Sequence, residues 1–360
     1  MKILHVYKDY YPVLGGIENY MRILAEAHTA AGHEVTVAVC DPGFHTHVEE
    51  LNGVKIIKSG RLATVSSMPL SLRHTLALAQ TKADVIHVHS PYPLGEVGTW
   101  FFQRRAPIVI TYHSDVVRQQ GWLKLYAPLL RHVLRASDCI LATSPRYIET
   151  SPWLNPLKAK CRVAPLGVDH HRFAPPRQPF DGPPTLLFVG RLRYYKGLDT
   201  LLQALTELPE VQLNVVGTGP MQSVWQTLTS TLGLEDRVHF LGEVDDADLP
   251  QAYRRAHLFV LPANARAEAF GTVLLEAMAA GLPCVSTEVG SGTSWVVQDG
   301  VTGRVVPPKA PTVMALAIRE LLADPQHLAE MGRAAHARVQ AEFTQERMVE
   351  RVMEIYQSVV

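Results

Sequence analysis

The stretch L-P-A-N-A-R-A-E-A-F-G-T-V-L-L-E-A-M-A-A-G-L-P, from Leu261 to Pro283, decides how the chain is read. It holds Glu268 and Glu276 with the pair Phe270-Gly271 between them. The apolar run His257–Pro262 ahead of it predicts a buried strand. From Gly271 onward, Val273, Leu274, Ala277, Met278 and Ala280 fall at helical spacing, and Gly281 and Pro283 close the helix. A strand, a loop and a helix start therefore bring two carboxylates and several free backbone N–H groups to one place. Such N–H groups favour an anion, whereas carboxylates suit neutral hydroxyls. A sugar joined to a phosphate answers both. Taken alone, Glu276 reads as a solvated helix residue and Glu268 equally well as a structural or a functional one, so the rest of the chain must decide.

Outward from this stretch the pattern repeats. Thr185–Val189, Gln212–Val216, Val238–Leu241 and Leu258–Leu261 read as strands, with Gly197–Leu208 and Met221–Leu232 as helices between them. Cys284–Ser286 and Thr302–Val306 read as short strands, and Thr312–Ala323, Gln326–Phe343 and Gln345–Val359 as helices. Toward the N-terminus, Lys2–Tyr7, Glu34–Val39, Val54–Ile57, Asp84–His89, Pro107–His113 and Asp138–Thr143 read as strands, with Ile17–Ala31 an amphipathic helix. The passage Pro165–Pro184, rich in proline and without periodicity, reads as a linker. Strands alternating with helices on both sides of it imply an α/β fold of two doubly wound, Rossmann-like domains facing each other across a cleft. In such sheets ligands sit beyond the carboxyl ends of the strands.

Composition narrows the classes. The chain has 360 residues, a formal net charge of +0 and 19% charged residues, which excludes a nucleic-acid footprint and an acidic tail. The cysteines Cys40, Cys139, Cys161 and Cys284 are scattered, as expected of buried free thiols in a reducing compartment rather than of a disulfide framework or zinc site. The opening M-K-I-L-H-V-Y reads as a strand rather than a signal peptide, and no apolar run has the length to cross a bilayer. The expectation is a cytoplasmic protein, with contact to the inner membrane face left open.

Candidate groups cluster at predicted strand ends. Gly15-Gly16 follows the first strand and opens a helix, but lacks the G-x-G-x-x-G spacing of a dinucleotide fold; it offers close backbone approach or a plain turn. G-R-L-R-Y-Y-K-G (Gly190–Gly197) puts Arg191 and Lys196 where two cations can clamp a diphosphate and stabilise charge on a departing phosphate. V-V-G-T-G-P, with Gly217, is a Gly-rich turn after a strand. The loop Ser291–Ser294 could line a pocket or simply turn. His113 ends a strand beside Ser114 and Asp115. His87 and His89 alternate on a strand and read as packing or cleft-wall residues, since no carboxylate or third ligand completes a metal site. Asp246-Ala247-Asp248 reads as a helix cap rather than a metal-binding aspartate pair. Trp122–Arg135, with Lys124, Arg131, His132 and Arg135, reads as a core helix with a basic outer face rather than a membrane-surface helix.

Taken in order, G-G-I-E-N, T-Y-H-S-D, L-G-V-D, V-G-R-L-x-x-x-K-G-L, V-V-G-T-G-P and E-A-F-G-x-x-x-x-E-A-M-A-A-G-L-P resemble the retaining glycosyltransferases of family 4, which have the GT-B fold. The resemblance covers nearly the whole chain and includes the family's Glu-x7-Glu spacing at Glu268 and Glu276. It implies an N-terminal acceptor domain over 1–172, a donor domain over 173–343, and a last helix, 344–360, that returns to the first domain. It implies that Gly15 and Gly16 meet the donor diphosphate from one domain, and Arg191 and Lys196 from the other, near Gly217. Glu268 would hold the sugar hydroxyls, Phe270, Gly271 and Thr272 would offer N–H groups, and Glu276 would bind the ribose. His113 would lie beside the anomeric centre and the sugar's primary hydroxyl, and Val244 with its neighbours beside the nucleobase. No metal and no cofactor is implied, because cations and helix-start N–H groups neutralise the leaving diphosphate. The implied reaction moves a hexose, of mannose type, from a nucleotide sugar to a glycan or lipid-linked acceptor, with neither a protein nucleophile nor nucleic acid. The sequence departs from the family pattern at Gly290–Ser294, which lacks the acid of Gly-Gly-x-x-Glu. The rival readings are a GT-B nucleotide-sugar epimerase, an NAD-dependent oxidoreductase, which the missing dinucleotide fingerprint disfavours, and a non-catalytic binding subunit.

Overall fold

The structure is a computed structural model of residues 1–360; it describes all but 14, 66–67, 104, 116–119 and 174–181, and only the backbone of 65 and 120–125. The chain forms two units, Met1–Pro165 with Glu346–Val360, and Leu166–Gln345.

The first unit carries β1 (Lys2–Val6), β2 (Glu34–Asp41), β3 (His47–Leu51), β4 (Val54–Gly60), a small hairpin of β5 (Ala63–Val65) and β6 (Met68–Leu70), β7 (Val85–Ser90), β8 (Ile108–Tyr112), β9 (Cys139–Ala142) and β10 (Cys161–Val163). Its main sheet has the order β10-β9-β8-β7-β1-β2-β4-β3. All neighbours are parallel except β3 against β4. A parallel sheet needs crossovers that cover both faces, and β7 is accordingly buried at every position. From β1 the chain order runs outward through β2 on one side and through β7 on the other. That reversal is the topological switch point, where a crevice opens at the carboxyl ends of the strands.

The second unit carries β11 (Thr185–Val189), β12 (Gln212–Val216), β13 (Val238–Gly242), β14 (Leu258–Leu261), β15 (Cys284–Thr287) and β16 (Gly303–Val306), in the order β13-β12-β11-β14-β15-β16. Its switch point lies between β11 and β14. Side chains of a strand alternate between faces, so Leu186 and Phe188 enter one core with Leu201, Trp225 and Ile318. Leu187 and Val189 enter the other, with Phe259, Leu274 and Val339. Each fully buried Leu or Phe adds about 1.5–3 kcal/mol.

The structure adds one strand to those read from the sequence, moves one boundary, and keeps the basic helix a core helix. His47–Leu51 (H-V-E-E-L) is too polar to read as a strand, yet it pairs antiparallel with β4 as the sheet edge. The passage read as a linker starts later. Leu166–Phe173 belongs to the second unit, where the Val168 N–H donates to the Phe343 carbonyl at 2.8 Å and Phe173 is buried. That unit therefore begins at Leu166 rather than at 173, and much of the remaining linker, 174–181, lies outside the described residues. The basic helix spans Gln120–Ala136 and buries Leu130, Val133 and Leu134. Part of its basic face is engaged: the Arg131 guanidinium lies 5.2 Å from the Trp153 ring and His132 meets Trp100 edge-on. The Lys124 side chain lies outside the described residues. Among the described residues no helix is long and apolar enough to cross a membrane.

Candidate active site

At the C-terminal switch point three loops are locked together by backbone contacts. Gly197, in the left-handed region at φ +68°, sits so close to the Pro262 carbonyl that a Cβ there would stand 2.0 Å from its oxygen. Asn264 reinforces the contact: its N–H donates to the Tyr195 carbonyl at 2.9 Å and its Nδ2 to the Tyr194 carbonyl at 3.1 Å. The turn Tyr194–Lys196 is thereby fastened to the loop after β14, and Lys196 Nζ comes to 2.8 Å from Glu268 Oε2. The two side chains form a buried ion pair. Both residues are 8% exposed. At this depth the Coulomb attraction is strong, but so is the cost of removing both charges from water. Arg191 is exposed at the start of the same loop.

Gly217 is packed rather than open. It lies at φ +117°, and a Cβ would stand 2.3 Å from the Gly190 carbonyl oxygen. Its N–H donates to Gly242 at 2.6 Å, which ties it to the segment that leads to the half-buried Val244. The turn after β12 thus fixes the height of the Arg191 loop.

The helix after Glu268 spans Thr272–Ala279, with Gly271 as its cap at φ +81°. Phe270 is buried against Trp295 and Phe343. The N–H groups of Phe270, Gly271, Thr272 and Val273 have no backbone acceptor among the described residues, as the first turn of a helix requires. They leave a donor-rich helix start beside the Lys196–Glu268 pair. Glu276 Oε2 accepts from the Tyr253 hydroxyl at 2.6 Å. Burial raises the Glu276 pKa, while Tyr253 and the nearby Arg172 and Lys196 oppose the rise.

The loop Ser291–Ser294 is a brace. Ser291 Oγ donates to the Glu268 carbonyl at 2.7 Å, the Gly292 N–H to Ala269 at 2.8 Å, and Thr293 Oγ1 to Thr287 at 3.0 Å. Ser291 and Thr293 are fully buried, so they position the Glu268 backbone. Asp248 does occupy the N-cap of Leu249–Arg254, but with helical dihedrals and without a side-chain cap bond. Its neighbour Asp246 pairs with Arg172 at 3.4 Å instead.

At the N-terminal switch point Gly15 is extended and caps the helix Gly16–Ala30. Among the described residues no atom beyond its chain neighbours lies within 4 Å of where a Cβ on Gly16 would stand, so their packing does not require glycine there. His113 follows β8; its N–H donates to Ser90 at 3.0 Å, and its ring nitrogen Nε2 lies 3.1 Å from His89 Nδ1. His87 and His89 are fully buried, as packing residues are, but the expectation that no third ligand stands beside them is corrected. His5, registered against His87 across β1 and β7, supplies a third imidazole, and ligand atoms of His5, His87 and His89 lie within 4.8 Å of one another. Only the pairing of distant strands makes this visible. The same holds for Tyr253, Arg172 and the bracing Ser291.

Two doubly wound units, each with its functional groups at the carboxyl edge of its sheet, define a glycosyltransferase of GT-B fold. Residues 14–172 match the family described as Glycosyltransferase Family 4, and residues 171–338 match Glycosyl transferases group 1. A D-rhamnosyltransferase, WbpZ of Pseudomonas aeruginosa, is 38% identical over 96% of this chain and 92% of its own length. The O-antigen chain mannosyltransferase C of Escherichia coli is 33% identical over 99% and 98%. Among solved structures, a sucrose-phosphate synthase from Thermosynechococcus elongatus superposes with a TM-score of 0.81 at 25% identity, covering 99% of this chain and 98% of that one. Anabaena HepE, in complex with UDP and glucose, superposes with a TM-score of 0.77 at 21% identity, over 99% and 100%. The chain belongs to the family 4 glycosyltransferases, and it is a hexosyltransferase.

Proposed function

We propose that the protein transfers a manno-configured hexose, mannose or its 6-deoxy form, from a nucleoside diphosphate sugar to a glycan or lipid-linked acceptor in cell-surface polysaccharide synthesis, with retention and without metal. The observation that carries this reading is the buried Lys196–Glu268 pair at a helix start with unoccupied N–H groups. It offers cationic and N–H partners for a diphosphate next to a carboxylate for sugar hydroxyls. The sugar type and the surface-glycan setting rest on the relatives named as a D-rhamnosyltransferase and an O-antigen chain mannosyltransferase.

In this mechanism Lys196 and Arg191 neutralise the diphosphate as the bond from C1 to phosphate oxygen breaks. The acceptor oxygen bonds to C1 on the face the diphosphate leaves, and its proton passes to a phosphate oxygen, so no protein nucleophile is consumed. Glu268 orients the sugar and Glu276 the ribose. Gly15, Gly16 and the N–H groups of Phe270, Gly271 and Thr272 contact the diphosphate. His113 meets the transferred sugar, Gly217 lies with the diphosphate-binding loop, and the backbone near Val244 meets the nucleobase. Calorimetry with GDP-, UDP- and ADP-sugars, then NMR of the product's anomeric carbon in the presence of EDTA, tests the proposal. An inverted anomer, activity lost to the chelator, or conversion of the donor without an acceptor would each sink it.

A further inference from the structure

Within the N-terminal sheet, three imidazoles stand in a row across the switch point. His5 Nδ1 lies 3.1 Å from His89 Nε2, and His89 Nδ1 lies 3.1 Å from His113 Nε2. Successive rings lie edge to edge and nearly coplanar, with centroids 5.4 Å apart and interplanar angles of 19°. Tyr20 packs edge-on against His89 and His113 and holds both rings in place. Burial drives His5 and His113 down to about 3 and His89 well below its ordinary value, so all three are neutral near pH 7. A neutral imidazole has one donor and one acceptor nitrogen. The row therefore has two concerted patterns, one in each direction, and the middle ring transmits the choice.

The inner end decides between them. His5 Nε2 is buried and has no hydrogen-bond partner among the described residues. If the row ran from His113 inward, that atom would be an orphaned N–H. If it ran outward, it would be an unused lone pair. Orphaned buried N–H groups are the rarer defect. The outward direction makes His5 Nδ1 donate to His89, and His89 Nδ1 donate to His113 Nε2. The proton of His113 is then on Nδ1. His5 and His89 are 0% exposed and His113 is 7% exposed, so His113 is the end of the row that reaches the surface. His87 stands apart, because its nitrogens meet the hydroxyls of Tyr356 and Thr111, each at 2.5 Å, and hydroxyls rotate to suit either tautomer.

We propose that His89 is a positioning residue: by donating to Nε2 of His113 it locks that ring in the Nδ1–H tautomer, so that His113 offers substrate a fixed N–H donor rather than a lone pair. The inference rests on the functional reading above only in giving His113 a substrate to meet. A bound metal ion is the competing use of these imidazoles, but both nitrogens of His87 are already engaged by hydroxyls.

Long-range 1H–15N spectra of the full chain, labelled at histidine and with His113 assigned by its loss in His113→Asn, read the tautomer directly. The expected result near pH 7 is a protonated Nδ1 and an unprotonated Nε2 on His113. In His89→Leu the Nε2 signal should move toward the protonated type, and hexosyl transfer should fall about 10-fold in kcat/KM, the lower end for loss of an orienting partner. A protonated Nε2 in the parent protein overturns the proposal, and so does a His113 spectrum unchanged in His89→Leu. Stoichiometric zinc or another metal whose removal shifts these resonances also overturns it. Should His89→Leu fail to fold, the parent spectrum alone still decides. Failure of the parent protein to use any nucleotide sugar would count against the functional reading and leave the tautomer result standing.

Discussion

Around its switch point the N-terminal sheet buries His5, His87, His89 and His113, while the C-terminal sheet surrounds its own with Leu186, Phe188, Val260 and Val285. Among the described residues, the buried charged side chains of the C-terminal unit are Lys196 and Glu268. Both solutions put polar chemistry at the edge of an apolar core. Imidazoles give up their charge on burial, which makes the N-terminal unit vulnerable to acid. An ion pair keeps its charges, at a desolvation cost that attraction offsets. Those charges are then ready for a ligand, and the proposed donor would exchange Glu268 for diphosphate as the partner of Lys196.

The largest expected effect breaks the ion pair. Lys196→Ala should lower kcat/KM for the nucleotide sugar by about 10²–10³-fold, and Arg191→Ala should do likewise. Glu268→Ala should be strongly non-additive with Lys196→Ala, because each leaves the other's charge buried and alone. Near-parental turnover in both cation variants would remove the diphosphate clamp.

Acid separates the two units next. The folded values of His5 and His113 are about 3 and those of His28 and His74 about 4, all depressed by burial from 6.5. Between these values the unfolded chain binds more protons than the folded one, so stability is full above pH 6.5 and falls as pH drops through the window. Each histidine removes about 1.4 kcal/mol per pH unit there. Denaturant unfolding of single-tryptophan variants retaining Trp153 or Trp225 should show the Trp153 transition weakening between pH 6.5 and 4.5, and the Trp225 transition far less. Equal shifts would abolish the contrast between the units.

Smaller effects sharpen it. Tyr253→Phe deprives the Glu276 carboxylate of its 2.6 Å donor. It should cost about 1–3 kcal/mol and raise KM for the donor more than it lowers kcat; an unchanged KM would detach Glu276 from the nucleoside. Two glycines then form a matched pair. Gly217→Ala would force a Cβ against Gly190 at a positive φ and should destabilise by more than about 1 kcal/mol. Gly16→Ala meets no atom of the described residues and should alter stability by no more than about 0.5 kcal/mol while impairing donor binding. Unimpaired binding in a stable Gly16→Ala protein would show that the open space there serves no ligand.

By itself the sequence determined the local grammar: buried β-strands from apolar runs, helix starts at Gly16 and Gly271, and the carboxyl-edge placement of Arg191, Lys196, Glu268 and His113. These features depend on near neighbours in the chain, through periodicity, capping and the positive φ that glycine allows. Tertiary structure decided what meets what. The pairing of β1 with β7, with a long stretch of chain between them, made His87 and His89, readable as packing or wall residues, members of a buried histidine group with His5. The fastening of Gly197 to Pro262 brought Lys196 onto Glu268, and Ser291 proved to be a brace because its hydroxyl reaches the Glu268 carbonyl. Polar strands such as His47–Leu51 were illegible for the same reason. Their partners are supplied by the fold, and a hydrogen bond across a sheet leaves no mark on the residues beside it in sequence.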